Sequence, residues 1–180
     1  MKLFVVSSIA ASGKTTLVDY VTKEFNLYKL KTCTTRSIRE EETGNEYYFV
    51  NDDKFCDAME RFEFIEFSNV YDKYYGLLKS EVENNKDKNC IVILDVKGTK
   101  KILKLYPEAV TVFILPPPYD EVKKRLLARN TDTNDVNLRL NQMEMELFEA
   151  ENYEYSVKYG NLDDMKAKIS EIIEREIILD

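Results

Sequence analysis

The sequence contains no histidine and no tryptophan, and it has only three cysteines, four prolines and five glycines among 180 residues. The lack of histidine excludes a histidine general base and histidine-ligated metal sites, both of which are common in enzymes. The three cysteines, Cys33, Cys56 and Cys90, form no CxxC pair and are odd in number. They predict reduced thiols in a cytoplasmic protein, with neither disulfides nor a zinc site.

Positive charge is also scarce, because 26 basic residues stand against 33 acidic ones and give a formal net charge of −7. This balance argues against a nucleic-acid-binding surface, since phosphate backbones attract basic patches. A small anionic ligand is still compatible with it, because a few arginines can make a positive cleft on an acidic protein. No apolar run approaches the length that spans a membrane, so we expect no membrane partner.

The length and the apolar runs predict one α/β domain. Hydrophobic residues make up 44% of the chain and charged residues 33%, as in ordinary globular proteins. Continuous apolar runs at 3–6, 90–94 and 110–115 predict buried strands, and each is followed by a helical pattern. We expect a parallel sheet with helices on both faces, a loop at 32–45 and a polar break at 130–135. Helices are predicted at 14–25, 52–61, 78–85, 119–128, 136–151 and 162–178.

The segment SIAASGKT at residues 8–15 predicts a phosphate-binding loop, because it lies between an apolar strand and a helix and approximates G-x-x-x-x-G-K-[ST]. Backbone N–H groups at the start of such a helix point at phosphates. Lys14 would reach the β- and γ-phosphates of ATP, and Thr15 would bind Mg²⁺. Serine at the first glycine position requires a backbone without positive φ. The predicted ATP-binding residues are Ser8, Ala10, Ala11, Ser12, Gly13, Lys14, Thr15 and Thr16.

Further segments, taken in order, resemble the guanylate kinase family. The nucleotide-monophosphate region of that family is matched by TCTTR at 32–36 with Arg39, EYYFV at 46–50, FIE at 64–66 and YYG at 74–76. The later part is matched by ILD at 93–95 before Gly98, FILPP at 113–117, KRL at 124–126 with Arg129, and RL at 139–140. The resemblance covers nearly the whole chain and is far more specific than the phosphate loop.

The resemblance implies an ATP:GMP phosphotransferase with a P-loop NTPase-type fold. It implies one domain over 1–180, with a core at 1–32 and 89–180, a nucleotide-monophosphate-binding region at 33–88 and a lid near 125–140. The substrates would be ATP and GMP or dGMP, with Mg²⁺ as the cofactor. The acceptor phosphate is already ionised, so the reaction needs no general base and the missing histidine is no obstacle.

The resemblance also assigns roles to residues. Arginine forks and tyrosine hydroxyls would hold the acceptor phosphate, while Glu66 would accept guanine N1–H and the 2-amino group, and Thr32 would donate to O6. The implied GMP-binding residues are Thr32, Arg36, Arg39, Tyr47, Glu66, Tyr75, Gly76 and Asp95. The implied catalytic residues are Lys14, Arg125, Arg129 and Arg139, whose charges would stabilise the transferring phosphoryl group.

Simpler interpretations exist for several of these residues. Arg36 and Arg39 precede three glutamates at 40–42, which is also typical of solvated surface ion pairs. The tyrosines could be core residues, and Arg125 and Arg129 could form the basic face of a helix. Asp95 has three open roles: it could hold a magnesium-bound water, accept from Lys14 or bind the acceptor nucleotide.

The chain departs from the family pattern at four places. Ser8 and Ala11 replace loop glycines, and the lid loop is one residue shorter. Leu77 stands where the family usually has a hydroxyl residue near guanine, and Tyr159 stands where it has an asparagine near adenine. Two alternatives follow: a P-loop kinase of another nucleotide or a sugar phosphate, and a non-catalytic guanylate-kinase-like protein-binding module. The sequence gives no indication of oligomeric state.

Overall fold

The structure, a computed structural model, describes residues 2–9, 11–40, 42–70, 72–128 and 133–178, without the side chains of Thr133 and Asp135. Nine strands lie within these ranges. They are β1 Leu3–Ser8, β2 Tyr28–Lys29, β3 Thr32–Thr34, β4 Tyr48–Phe49, β5 Phe64–Val70, β6 Lys73–Leu78, β7 Cys90–Ile93, β8 Val110–Ile114 and β9 Tyr155–Val157.

Seven α-helices connect these strands in the described part of the chain. They are α1 Lys14–Glu24, α2 Asp52–Glu60, α3 Lys79–Glu83, α4 Val96–Leu105, α5 Tyr119–Ala128, α6 Thr133–Glu149 and α7 Leu162–Ile178. A short 3₁₀ turn over Ala150–Asn152 follows α6. The predicted bounds of α5 and α7 agree with the structure, because both helices have clear apolar faces bounded by proline or polar residues.

The first sheet is the parallel core that the apolar runs predict. Its order is β2-β7-β1-β8-β9, and each of its pairings is parallel. The side chains of β1 and β8 are buried almost throughout, since helices cover both faces. On one face, α1 and α7 pack against β1 and β8 through residues such as Leu17, Val21, Ile169 and Ile173.

A second, mostly antiparallel sheet stands beside the core, in the order β4-β3-β6-β5. It lies largely within the predicted 33–88 region, although β3 begins one residue earlier. The expectation of a loop throughout 32–45 was wrong, because residues 32–34 form β3 between β4 and β6. The alternating Thr-Cys-Thr has no continuous apolar character, so its strand depends on pairing with β6 and not on hydrophobic pattern.

The predicted polar break at 130–135 is only partly described. Residues 129–132 lie outside the described residues, and with them the first part of the predicted lid loop. Residues 133–135 are helical, because α6 begins at Thr133 and not at residue 136 as expected. Val136 and Leu140 on this helix pack against Phe113 and Leu126, which fixes α6 above the carboxyl end of β8.

Candidate active site

One cleft lies between the carboxyl ends of β1 and β7 and the facing surface of the second sheet. Ligands in open α/β sheets bind at this end of the strands. Most of the predicted site residues line it together. They are Ser8, Ala11, Ser12, Gly13, Lys14, Thr15, Thr16, Thr32, Arg36, Arg39, Tyr47, Glu66, Tyr75, Asp95 and Arg139. Ala10 and Arg129 lie outside the described residues.

The loop after β1 has the tight backbone of a phosphate loop despite its two missing glycines. Ser8 is not among the described residues with positive φ, as its position required, whereas Ala11 has φ 62° and Gly13 has φ 88°. A left-handed alanine is strained by about 1–2 kcal/mol. The Ser12 hydroxyl donates to the Ser8 hydroxyl at 2.7 Å, and this hydrogen bond joins the start of the loop to a residue four positions later.

The N-terminus of α1 opens into the cleft. No side chain caps this helix within the described residues, and its first turn contains no acidic residue. Its N–H groups and the positive end of its dipole therefore face an anion site. Lys14, Thr15 and Thr16 follow Gly13 in this turn and line the same cleft.

Arg36 lies opposite the loop and is fixed by Glu42. Its Nη1 and Nη2 atoms donate to the two carboxylate oxygens of Glu42 at 2.9 and 2.7 Å. The backbone N–H of Arg39 donates to the same carboxylate at 2.8 Å. Both side chains of the Arg36–Glu42 pair are about one-tenth exposed, so this is a sheltered ion pair and not the solvated pair that the three consecutive glutamates suggested.

Two tyrosines complete this part of the cleft. The Tyr47 and Tyr75 rings meet edge to face with centroids 6.1 Å apart, and the Arg36 guanidinium lies 5.3 Å from the Tyr47 ring centroid. Burial, aided by Tyr75, raises the pKa of Tyr47, so its phenol stays protonated and can donate a hydrogen bond. The tyrosines are therefore walls of the cleft and not residues of the main core.

Glu66 lies at the inner end of the cleft and is only 3% exposed. One of its interactions is a hydrogen bond from the backbone N–H of Leu77, while its Oε2 atom is buried and has no hydrogen-bond partner among the described residues. Burial raises the pKa of Glu66 to about 8, and the nearby Asp95 adds to the shift while Lys101 opposes it. A buried acceptor without a donor is what a ligand with N–H groups would satisfy.

Gly98 makes room for this carboxylate. A Cβ atom added at Gly98 would lie 2.8 Å from Glu66 Oε2 and 3.2 Å from its carboxyl carbon. The backbone N–H of Gly98 donates to Asp95 Oδ1 at 2.8 Å. One glycine in the first turn of α4 thus brings both acidic side chains close together.

Leu77 and Gly76 differ in where they face. Leu77 pairs with Thr32 on one side and Glu66 on the other, and its side chain is fully buried in the core. It offers the inner end of the cleft no hydroxyl. Gly76 lies on the opposite face of β6, where an added Cβ would meet the Phe64 ring at 2.7 Å, and it does not line the cleft. Its predicted contact with GMP stays a prediction.

Arg125 reaches the phosphate loop from α5. It donates to the carbonyl oxygen of Ala11 at 3.2 Å and to the Tyr159 hydroxyl at 2.9 Å, and its Nε pairs with Glu121 at 2.8 Å. Arg125 is therefore more than part of a basic helix face, because it ties α5 to the loop. Arg139, from α6, lines the cleft itself.

Two residues of the site were missed by sequence reasoning. By sequence, Glu42 was grouped with its acidic neighbours as a solvent-exposed side chain. The only sequence signal for its contact with Arg36 is the spacing of six residues, which is weak. Ser68 was not considered, yet its hydroxyl donates to Asp95 Oδ2. A single serine within a strand gives no sequence signal for such a contact.

The fold and this cleft define a P-loop NTPase-type protein with a second sheet facing its phosphate loop. The family model described as guanylate kinase matches residues 1–176. Guanylate kinase from Thermotoga maritima is 33% identical, with 97% of this chain and 87% of the relative covered. Guanylate kinase from Porphyromonas gingivalis is 40% identical over 81% of this chain and 82% of the relative. A crystal structure of guanylate kinase from Anaplasma phagocytophilum superposes with a TM-score of 0.77 at 26% identity, covering 97% of this chain and 85% of that one.

The chain belongs to the guanylate kinase family. The predicted family is thereby confirmed, and so is the predicted P-loop α/β fold. The predicted activity, phosphoryl transfer from ATP to GMP, is the one that the comparisons support, and neither alternative is favoured by them. In the described residues, no helix is both long and apolar enough to cross a membrane.

Proposed function

We propose that this cleft transfers the γ-phosphoryl group of ATP to GMP or dGMP, with the predicted residues in the roles given to them above. The observation that carries the proposal is the arrangement of three chemistries along one cleft. The uncapped N-terminus of α1 with Lys14, an arginine–tyrosine cradle and the buried acceptor Glu66 all line this cleft. They match a triphosphate, a monophosphate and a purine base, respectively.

On the donor side, the loop N–H groups and Lys14 hold the β- and γ-phosphates. Arg125 keeps the loop in shape through its bond to the Ala11 carbonyl, and its guanidinium stacks on the Tyr159 ring at 5.4 Å. Arg139, with Arg129, neutralises the charge that spreads over the transferring group. Tyr159 offers the adenine a flat aromatic surface in place of an amide.

On the acceptor side, Arg36, Arg39, Tyr47 and Tyr75 hold the GMP phosphate. An oxygen of that phosphate attacks the γ-phosphorus, the bond from the γ-phosphorus to the bridging oxygen breaks, and ADP leaves with that oxygen. No proton has to be removed, because the acceptor is an anion at neutral pH. Glu42 holds the Arg36 fork in the cleft before the phosphate arrives, which reduces the ordering cost of binding.

Mg²⁺ suits the oxygen groups available here. Thr15 presents a hydroxyl at the cleft, and no group of three or more Cys, Asp or Glu side chains among the described residues could form a protein-only metal cage. Mg²⁺ usually keeps several waters and binds through substrate phosphates with one or two protein ligands, so this set fits it. The ion, when bound, would neutralise charge on the β- and γ-phosphate oxygens.

We also propose a cytoplasmic location. None of the three cysteines, all of which lie in described parts of the chain, forms a disulfide. Free thiols are the ordinary state in a reducing compartment. The exposed Cys56 would be the first of them to react in an oxidising one.

The test of the function is ADP release from Mg·ATP with GMP, dGMP, AMP, CMP and UMP offered separately. Turnover is expected with GMP or dGMP only, and Lys14→Met should abolish it, because the lysine charge is needed on the transferring phosphates. Turnover with another acceptor instead would retain a kinase and refute guanine recognition. A folded protein without any turnover would favour the protein-binding module, whose partner binding should not depend on Lys14.

A further inference from the structure

Glu66 and Ser68, which both interact with Asp95, lie in two rows of paired residues in the second sheet. Leu77 pairs with Glu66 in one row, and Tyr75 pairs with Ser68 in the next. Directly opposed residues of antiparallel strands share a face of the sheet. Since Glu66 and Tyr75 line the cleft, Ser68 lies on the cleft side of β5 and one step beyond Glu66.

Ser68 fixes the side chain of Asp95. Its hydroxyl donates to Asp95 Oδ2, while Asp95 Oδ1 accepts the backbone N–H of Gly98 at 2.8 Å. Ser68 is 6% exposed, so water does not compete freely for this bond. Each Asp95 oxygen therefore has one fixed donor and retains capacity to accept another hydrogen bond, since a carboxylate has about four acceptor positions.

Glu66 and Asp95 together can accept three hydrogen bonds from one edge of guanine. Guanine presents one N–H at N1 and two on its 2-amino group along the same edge. A single carboxylate such as Glu66 pairs with two parallel N–H groups, which leaves the second amino N–H without an acceptor. Asp95 is close enough to Glu66 to raise the pKa of that side chain, and it lines the same cleft. Leu77, between Thr32 and Glu66, cannot supply a hydroxyl there.

We propose that Ser68 is a positioning residue for guanine specificity, which holds the Asp95 carboxylate beside Glu66 so that Asp95 accepts the second N–H of the 2-amino group. The inference deepens the proposed function and rests on it. Ser68 thereby supplies, from β5 and through Asp95, the selectivity for the amino group that the apolar Leu77 on β6 does not provide. IMP, which keeps N1–H and O6 and lacks only the amino group, isolates this contact.

The test compares Ser68→Ala with the wild type, using GMP and IMP as acceptors under saturating Mg·ATP. KM for GMP should rise about tenfold, as expected when a hydrogen bond to a charged group is lost, while kcat stays nearly constant. KM for IMP should change little, so selectivity for the amino group falls. Ser68→Thr, which keeps the hydroxyl in a strand-compatible side chain, should restore it. Ser80→Ala is the matched control, because Ser80 is exposed on α3.

A double-mutant cycle shows whether Ser68 acts through Asp95. Asp95→Asn should cause the same selective loss for GMP, and adding Ser68→Ala to it should cause little further loss. Thermal unfolding of each variant shows that it is folded. Additive losses, an equal loss for GMP and IMP, or unchanged selectivity in Ser68→Ala would each overturn the inference. An equal loss would show instead that the bond only joins β5 to α4.

The proposed function has its own readout in the same experiment. Wild-type turnover with GMP tests phosphoryl transfer, independently of the variants. If the wild type did not turn over, the proposed function would fail. Calorimetric binding of GMP and IMP without ATP would still measure selectivity and decide the role of Ser68.

Discussion

Glu66 combines burial, a raised pKa and a missing donor, and these three properties have one cause. The side chain lies deep in the cleft, where water cannot solvate its charge, and Asp95 adds repulsion. Together they raise the pKa of Glu66 from its ordinary value of about 4.5 to about 8. The unfolded chain ionises at lower pH, so the contribution of Glu66 to stability falls as pH rises between about 4.5 and 8. Guanine would donate hydrogen bonds to the ionised carboxylate and so offset the stability that is lost when Glu66 ionises.

A pH dependence of GMP use follows. Only ionised Glu66 accepts two N–H groups, so below pH 8 the side chain must lose a proton when GMP binds. We expect kcat/KM for GMP to rise about tenfold between pH 7 and pH 9, since this parameter reports groups of the free enzyme. Burial is the largest cause of the raised pKa, and the charged neighbours, Asp95 and Lys101, respectively add to it and oppose it. Steady-state kinetics across this range measure it, and a flat profile would contradict it. Glu66→Gln should show weak and pH-independent use of GMP.

For single residues, short sequence motifs predicted the side chains of the cleft, but they did not predict which side chains bond to each other. Glu66, Thr32 and Lys14 lie in short motifs, so their presence in one cleft was predictable. The Ser68–Asp95 bond joins residues 27 positions apart, one in β5 and the other at the N-terminus of α4, and no local pattern encodes it. Glu42 was misjudged because adjacent glutamates usually face solvent, whereas backbone and arginine donors draw this one inward.

The segment after β3 depends on Glu42 for its shape. This one carboxylate accepts from both Nη atoms of Arg36 and from the Arg39 backbone, so it fixes the arginine cradle without a strand or helix. The same contacts lower the pKa of Glu42 against the opposing effect of burial. The segment that we propose to bind the acceptor phosphate is therefore held in place by an internal carboxylate.

Glu42→Ala should leave the Arg36 guanidinium sheltered and without its carboxylate partner. Breaking such a pair costs on the order of 3 kcal/mol when both groups are fully buried, and less here because both are slightly exposed. We expect a lower melting temperature and a raised KM for GMP. Inorganic phosphate should restore the melting temperature more in this variant than in the wild type, because it can pair with Arg36. Glu40→Ala is the matched control, since Glu40 is exposed, and an equal effect of both substitutions would refute the role of Glu42.

Elements with strong periodicity were predictable, and those that depend on pairing were not. Apolar runs predicted β1, β7 and β8, and apolar faces at helical spacing predicted α5 and α7. By contrast, β2 has two residues and β9 has three, in the polar stretch around Tyr155–Val157. Both exist because an edge of the parallel sheet accepts them, at β7 and β8 respectively. That is tertiary information, which local propensity does not contain.

At the scale of the whole molecule, Glu81 joins the second sheet to the core. It lies on α3 and is 6% exposed, and its carboxylate accepts from the Lys31 backbone at 3.0 Å and from the Tyr48 hydroxyl at 2.9 Å. Lys31 lies between β2 and β3, where the chain passes from one sheet to the other, and Tyr48 lies in β4. The buried Glu81 carboxylate thus connects the segment between the two sheets to β4 of the second sheet.

Glu81→Ala should loosen the second sheet selectively. The Lys31 backbone N–H loses its acceptor at a cost of about 1–3 kcal/mol, and the Tyr48 hydroxyl loses less, because Tyr48 is 39% exposed and can bond to water. Amide hydrogen exchange should accelerate in β3, β4 and β6 while β1 and β8 keep their protection, since local opening follows local contacts. KM for GMP should rise and KM for ATP should change little, because the phosphate loop belongs to the core. Glu83→Ala, on the same helix but with an exposed side chain paired to Lys86, controls for the loss of charge. Uniformly faster exchange in both sheets would mean that Glu81 stabilises the whole fold and that the two sheets open together.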